Sequence, residues 1–384
     1  MIFIKFNIND VDIYYKMKTI YDPLYGYIEV EQYLLDIIDT QEFQRLRDIK
    51  QLGCASYVFP SATHTRFEHS IGVSYLSGIF IKNIQKKQPE LDITEDDIRR
   101  IKISGLIHDL GHACYSHFFD HYFLSNIENT LKDHEERSIY LLKHMNHKYN
   151  LNLSDTDLDE IKMMILSKPS YGFKYQIVAN ELSGFDTDKL DYINRDCHHL
   201  GLPYKYDYTR ILKQIKVIDD EICFPLKQLS NVYELFELRY KLHQQVYQHP
   251  VISCAEMMIL DMFKNSELND KKLEYITDID KFIKLTDDFI NYLNNVNTNE
   301  KFKEIYNDLK SRNLYKFIED SEDPNLDIDY KYKLKIKINF GKGDKNPLDF
   351  ITFYDKNGKV KADIKNQLML VPKQYQIIKY RYIK

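Results

Sequence analysis

From about residue 31 to 318, apolar positions recur at helical spacing. Between Arg66 and Ile84, the residues His69, Gly72, Val73, Leu76, Phe80 and Ile84 share one face, which predicts an amphipathic helix with a buried stripe. A second helix is predicted from near Thr94. There Thr-Glu-Asp-Asp has the form of a capping box, the run IRRIKISGLIHDL follows, and Gly111 comes soon after. Before these helices, residues 17–30 (MKTIYDPLYGYIEV) mix Pro, Gly and a short alternation, and predict a loop and a small strand. Residues 319–328 (EDSEDPNLDI) are acidic and contain Pro, which predicts a linker. Beyond them, YKLKIKINF alternates at period two and predicts a strand. FITFYDKNGKVKADI predicts a hairpin, because an Asn-Gly pair separates two strand-like runs. The fold class is mainly α, a helical body with a small C-terminal α+β lobe, and no internal repeat is visible.

Composition narrows the picture. The chain has 384 residues and 43% hydrophobic content, enough for one large core or two modest ones. Its 53 basic and 58 acidic side chains leave a net charge of -5. A charge-driven nucleic-acid binder is usually basic overall, so nucleic acid is not indicated as a partner, although a local basic pocket stays possible. The five Cys (54, 114, 197, 223 and 254) are odd in number and form no CxxC, which argues against a disulfide framework or zinc knuckle. Lys5, Asp10 and Asp12 interrupt the apolar residues of the N-terminus, so it does not read as a signal peptide. No run is long enough to span a membrane. A soluble, intracellular protein is expected.

The sharpest chemical signal is His108-Asp109 within GLIHDLGH. Adjacent His and Asp at the end of an apolar helix place two metal-ligating groups where neither belongs without a partner. Taken alone, the pair is equally a structural ion pair or a cap, and His69 on its apolar face is equally a satisfied core histidine. Downstream, Asp188, Tyr192 and Asp196 recur at steps of four, while Asp186 and Asp191 point elsewhere, solvated or salt-bridged. Two His and two Asp suit iron, manganese, zinc or magnesium, and the donor types do not choose among those four. His112, His117, His121 and His134 crowd the same region of sequence. Arg239, His243 and Tyr247, again at steps of four with Gln248 beside them, form a face able to grip an anion and a sugar, or a polar stripe facing water.

Several longer segments carry a resemblance. YDPLYGYIEV, IIDTQEFQRLRDIKQLG, YVFPSATHTRFEHSIGVSYL, GLIHDLGHACYSHFFD, DTDKLDYINRDCHHLG, SRNLYKF and KNPLDFITFYDK stand in one order along the chain. Together they resemble the SAM and HD domain-containing deoxynucleoside triphosphate triphosphohydrolases of the HD phosphohydrolase superfamily. Matches in order across separate segments are far more specific than a bare His-Asp motif. The likeness runs from about residue 17 to the C-terminus. It implies an N-terminal extension over 1–16 with no room for a SAM domain, an HD domain over 17–318 and the α+β lobe over 319–384.

The resemblance implies that His69, His108, Asp109 and Asp188 bind a divalent metal. His112, His117 and His134 match the catalytic histidines, with His117 as general acid. Arg66, Lys189, Tyr192, Arg239 and His243 match positions around the phosphates and nucleotide. Gln51 and Asp196 match positions that hold the sugar 3′-hydroxyl, Leu52 and Tyr247 those that crowd its 2′ position, and Gln248 one near the base. The implied reaction converts a deoxynucleoside triphosphate to deoxynucleoside and inorganic triphosphate. The resemblance also implies a homotetramer activated by GTP or dGTP and a dNTP. Asp39, Gln44 and Arg47 match the guanine-specific site, Lys18, Arg312 and Lys316 match phosphate contacts, and Arg210, Lys227, Asn231 and His249 match the neighbouring dNTP site. Four positions depart from the pattern: Tyr21 stands in place of Asn, Pro225 and Gln245 in place of Arg, and Pro250 in place of Lys. The alternatives are another HD-type enzyme, a monophosphatase or phosphodiesterase, and a non-catalytic nucleotide-sensing or nucleic-acid-binding scaffold.

Overall fold

A computed structural model describes residues 17–168, 171–362, 368 and 371–384. The N-terminal extension lies outside them. The chain enters through an antiparallel hairpin of β1 (Lys18–Asp22) and β2 (Gly26–Val30). Residues 17–30 therefore hold two strands where the sequence predicts a loop and one, because Pro23-Leu24-Tyr25-Gly26 supplies a tight turn with Gly26 at φ +72°.

The predicted helices form. The first, α1 (Arg66–Lys87), starts at Thr65 in a capping box with Glu68, and its predicted stripe of His69, Gly72, Val73, Leu76, Phe80 and Ile84 is buried. Thr94 and Asp97 cap α2 (Glu95–Ile107) in the same way. The following helices are α3 (His134–Tyr149), α4 (Asp155–Ile165) and α5 (Thr187–Leu200). Two more, α6 (Leu229–Leu242) and α7 (Pro250–Lys264), complete the main body.

Strands interrupt the helical span where the periodicity gave no sign of them. β3 (Lys216–Ile218) and β4 (Glu221–Pro225) form a hairpin, and both are too short for an alternation to stand out. The acidic segment predicted as a linker begins inside β5 (Phe317–Ser321). This strand pairs with β9 (Gln376–Ile383), which also pairs with β6 (Tyr332–Asn339), the predicted alternating strand. The Asn-Gly hairpin forms as β7 (Phe353–Asp355) and β8 (Gly358–Val360). It does not stand apart from the body, since β7 lies parallel to β4, with Phe224 opposite Phe353.

Two apolar cores result. One gathers the C-terminal half of α2 with α3, α7 and the first two turns of α1, and the other gathers the rest of α1 with Ile98 and Ile101 of α2, α5 and α6. Tyr25, Leu52, Phe59 and Leu200 pack against both. The polar site described next lies along this seam.

Candidate functional site

The four expected metal ligands converge from three places in the fold. His69 sits in the first turn of α1, His108 and Asp109 directly follow α2, and Asp188 is the second residue of α5. His69 Nε2 lies 3.4 Å from Asp109 Oδ2 and 3.2 Å from Asp188 Oδ1. His108 Nε2 lies 3.5 Å from both Asp109 Oδ1 and Asp188 Oδ1. Both Nε2 atoms are buried without a hydrogen bond, whereas both Nδ1 atoms are tethered. His69 Nδ1 lies 2.8 Å from Asp191 Oδ2, and His108 Nδ1 lies 2.9 Å from the Gly105 carbonyl. Tethering one ring nitrogen fixes the tautomer and aims the other as a donor atom, the usual arrangement around a bound cation. Unpartnered buried nitrogens beside two carboxylates thus fit a divalent metal. Burial alone would lower the pKa of His69, but Asp188 and Asp191 outweigh it and raise the value to about 10.

Asp191 belongs to a layer that the sequence reading missed. It is fully buried and accepts from Arg195 Nε at 2.8 Å, Arg195 Nη2 at 2.9 Å and the Tyr25 hydroxyl at 2.6 Å. Arg195 also reaches Asp22 at 2.9 Å. Gly72 permits this layer, because a Cβ there would stand 2.1 Å from Asp191 Oδ1. The available signal was the Asp-x-x-x-Arg spacing within α5, which sets both side chains on one face.

The catalytic histidines expected from the resemblance lie beside the ligands. His112 Nε2 is 3.4 Å from Asp109 Oδ1, and its ring stacks on His134 with centroids 3.9 Å apart. His117 meets His112 edge-on at 4.8 Å. His134 Nδ1 is 2.9 Å from Asp120, which Arg137 also grips. Neither Asp120 nor Arg137 stood out in the sequence. His117 is exposed to the cleft. Enclosure by the cleft walls, then Arg66, His134 and His121, lower its pKa to about 3.

Arg66 is buried and turned toward protein. It donates to Asp109, to Ser116 Oγ at 3.0 Å and to the Gln51 carbonyl at 3.2 Å. It therefore orients the carboxylate of Asp109, an expected ligand, and two loops, where the resemblance implies a phosphate contact. Lys189 Nζ sits 2.7 Å from Asp186 Oδ2. Asp196 accepts from the Tyr247 hydroxyl, and its Oδ1 lies 2.7 Å from His64 Nε2, a residue the sequence reading did not single out. Tyr192 and Tyr247 meet edge-on with centroids 6.5 Å apart, and the His243 ring meets Tyr247 edge-on at 5.0 Å. Arg239, His243, Tyr247 and Gln248 do not share one α-helix. Helix α6 ends at Leu242, and His243–Tyr247 form a π-helical turn. Arg239 Nε and His243 Nδ1 are buried without partners, as is Gln51 Oε1. Leu52 is half-buried at the seam.

The expected nucleotide-control residues make other contacts. Lys18 pairs with Asp39 at 2.9 Å, and Arg47 donates to Gln44 at 2.8 Å. Arg312 donates to the Tyr57 carbonyl, while His249 packs against Phe59. Both expected sets therefore touch one short segment, residues 57–59. Lys316, Arg210 and Lys227 are exposed and Asn231 is half-buried. Among the four departures, Tyr21 is exposed, Pro225 ends β4, Gln245 bonds Tyr204 and Pro250 opens α7.

The HD domain family matches residues 66–196, and the HD associated region matches residues 206–329. The chain therefore belongs to the HD-domain proteins. Over 309 residues it is 41% identical to the deoxynucleoside triphosphate triphosphohydrolase SAMHD1 homolog of Dictyostelium discoideum, covering 79% of this chain and 60% of that protein. It is 36% identical over 417 residues to the Bos taurus deoxynucleoside triphosphate triphosphohydrolase SAMHD1, covering 90% and 71%. The Homo sapiens protein of that name is 35% identical over 433 residues, with 94% and 69% covered. Within the HD-domain proteins, the chain belongs to the SAMHD1 family. No helix among the described residues is long and apolar enough to cross a membrane.

Proposed function

We propose that this protein is a metal-dependent hydrolase that converts deoxynucleoside triphosphates to deoxynucleoside and inorganic triphosphate. The observation that carries the reading is the pair of buried, unpartnered Nε2 atoms of His69 and His108, facing Asp109 and Asp188 with their Nδ1 atoms tethered. A bound divalent cation supplies Lewis-acid polarisation of a phosphoryl oxygen. The protein supplies the rest. Lys189, Arg239 and His243 sit where a polyanion needs neutralising charge and donors. His117 delivers the proton that the departing 5′ oxygen requires, a contribution of roughly 10²–10⁴-fold. In the free protein its enclosure and its cationic neighbours hold it neutral, but a bound triphosphate reverses the sign of the local field and favours the imidazolium. Gln51 and Asp196 address the 3′-hydroxyl, Leu52 and Tyr247 fill the space a 2′-hydroxyl needs, and Gln248 lies toward the base.

The regulatory part of the proposal is a homotetramer promoted by GTP or dGTP, with a second site for a dNTP. The paired Lys18 and Asp39 offer a cation for phosphate and a carboxylate for guanine N–H groups. Five buried, unpaired cysteines fit a reducing, intracellular setting. Incubation with dNTPs and NTPs, with products resolved by ion exchange, tests the reaction. Release of intact triphosphate is expected, and pyrophosphate or single phosphate would point to a different HD chemistry.

A further inference from the structure

Two irregular segments flank the proposed sugar position. One is Lys50–Gly53, which carries Gln51 and Leu52, and the other is His112–His117, which carries the proposed acid. They meet backbone to backbone. Gly53 has φ +49°, and a Cβ on it would stand 2.7 Å from the Tyr115 carbonyl oxygen. Tyr115 and Ser116 hold φ +61° and +58°, a left-handed conformation unfavourable for residues with a Cβ. Such a shape persists only where its surroundings over-determine it.

Asp287 supplies that constraint. It lies in the loop between the short helix Ile279–Phe282 and the helix Phe289–Val296. One carboxylate oxygen accepts from Tyr115 N–H at 2.7 Å, and the other accepts from Lys50 N–H at 3.0 Å. Its own N–H donates to the Asp48 carbonyl at 3.1 Å, and the Tyr115 hydroxyl donates to its carbonyl at 3.1 Å. Ser116 Oγ adds a bond to the Lys50 carbonyl at 2.8 Å. An ordinary loop cap would satisfy one segment, whereas this carboxylate divides its two oxygens between the segments on either side of the sugar. Burial raises its carboxyl to about 6, so it remains ionised at neutral pH and accepts both charge-assisted bonds.

We propose that Asp287 is a positioning residue that sets the spacing between the His117 loop and the Gln51–Leu52 segment, and so couples turnover to rejection of the 2′-hydroxyl. The proposal rests on the hydrolase reading above. Asp287 makes no hydrogen bond to the expected ligands or substrate contacts, so its hydrogen bonds act through the two loops.

The test compares wild type, Asp287→Asn and Tyr115→Phe. The amide in Asp287→Asn keeps one acceptor but turns an N–H₂ toward the other backbone N–H. Three quantities are read: bound metal, dGTP and GTP kinetics, and hydrogen exchange across residues 48–53 and 112–117. In Asp287→Asn, metal content stays at the wild-type level and exchange rises in both segments. Turnover of dGTP falls by about tenfold or more, as expected for a misplaced catalytic group, and the dGTP-to-GTP ratio of kcat/KM falls with it. Wild-type turnover and ratio in a folded variant would overturn the proposal, as would a loss of turnover with the ratio unchanged. If Asp287→Asn does not fold, Tyr115→Phe decides, because it keeps both carboxylate bonds and removes only the hydroxyl that ties the His117 loop to the Asp287 carbonyl. It should move exchange and ratio in the same direction by less, and no movement overturns the proposal. Wild type inactive on every nucleotide would defeat the hydrolase reading, while exchange in the two segments would still decide whether Asp287 clamps them.

Discussion

Asp191 illustrates how much of this site depends on residues that no substrate reaches. Its carboxylate aims His69 and neutralises Arg195, both fully buried. In Asp191→Asn, an amide N–H₂ faces donors and Arg195 retains only part of its counter-charge. Breaking a buried pair from one side costs about 3–5 kcal/mol, and losing an outer partner of a metal ligand costs roughly 10–100-fold in metal affinity. Metal titration and thermal unfolding of the variant should therefore both move; unchanged affinity would remove Asp191 from its assigned role. His117→Ala separates the layers differently. Turnover should fall by about 10²–10⁴-fold with bound metal unchanged, whereas loss of metal would place His117 among the ligands. Tyr247→Ala should relax sugar selection, read as a rise in GTP hydrolysis relative to dGTP, because the ring packed near Tyr192 would no longer fill the proposed 2′ position.

At the scale of elements, the approach of α1 to α5 places His69 opposite Asp188 and Asp191. Gly72 sets how close that approach can be. A methyl there would overlap Asp191 and Arg195, at 2.1 and 2.4 Å, and neither is the free end of a mobile side chain. Gly72→Ala should destabilise by at least the ~1–3 kcal/mol typical of overpacking and weaken metal binding with it. A wild-type melting temperature would show that the helices separate without cost. Helix α7 offers a pH test. Burial raises the Glu256 carboxyl from 4.5 to about 8, against the opposing pull of Arg381. The folded chain then holds this proton where the unfolded chain has released it. Stability from this group is complete below the unfolded value and is lost as pH rises through about 8. Glu256→Gln should therefore gain melting temperature over wild type progressively across that window and level off above it. A difference independent of pH would mean that the carboxyl titrates normally.

For the whole molecule, the two expected nucleotide sets touch residues 57–59 through Arg312 and His249. The segment 50–53 that carries the proposed sugar contacts lies directly upstream, so a nucleotide bound there would have a short path to the proposed sugar position. In the proposed nucleotide sites the departures at Pro225, Gln245 and Pro250 would remove cationic contacts, and each charge-assisted bond contributes about 1.5–3 kcal/mol. Guanine nucleotide should promote assembly with weakened or altered dependence on the second nucleotide. Sedimentation with and without GTP and a dNTP, beside dTTP hydrolysis under the same conditions, checks this. A constant oligomeric state with full activity in the absence of GTP would reject nucleotide control and leave the hydrolase reading intact.

The sequence by itself determined the local choices, and in them it determined the family. Periodicity placed α1 and its buried stripe, Thr94 and Asp97 fixed the start of α2, and Asn357-Gly358 fixed a hairpin, because each depends on residues a few positions apart. The order of His69, His108-Asp109 and Asp188 within longer matching segments named the candidate ligands. Tertiary structure decided what depends on partners far along the chain. It turned Asp191 from a solvated or salt-bridged carboxylate into the anchor of His69, across 122 positions. It drew Asp287 to Tyr115 across 172, and joined β7 to β4 beyond the predicted linker. It also pulled Arg66 inward and bent Arg239–Tyr247 through a π-helical turn. Periodicity reports which face of an element is buried. It carries no record of which buried polar group will meet which, and that pairing is settled only when the elements pack.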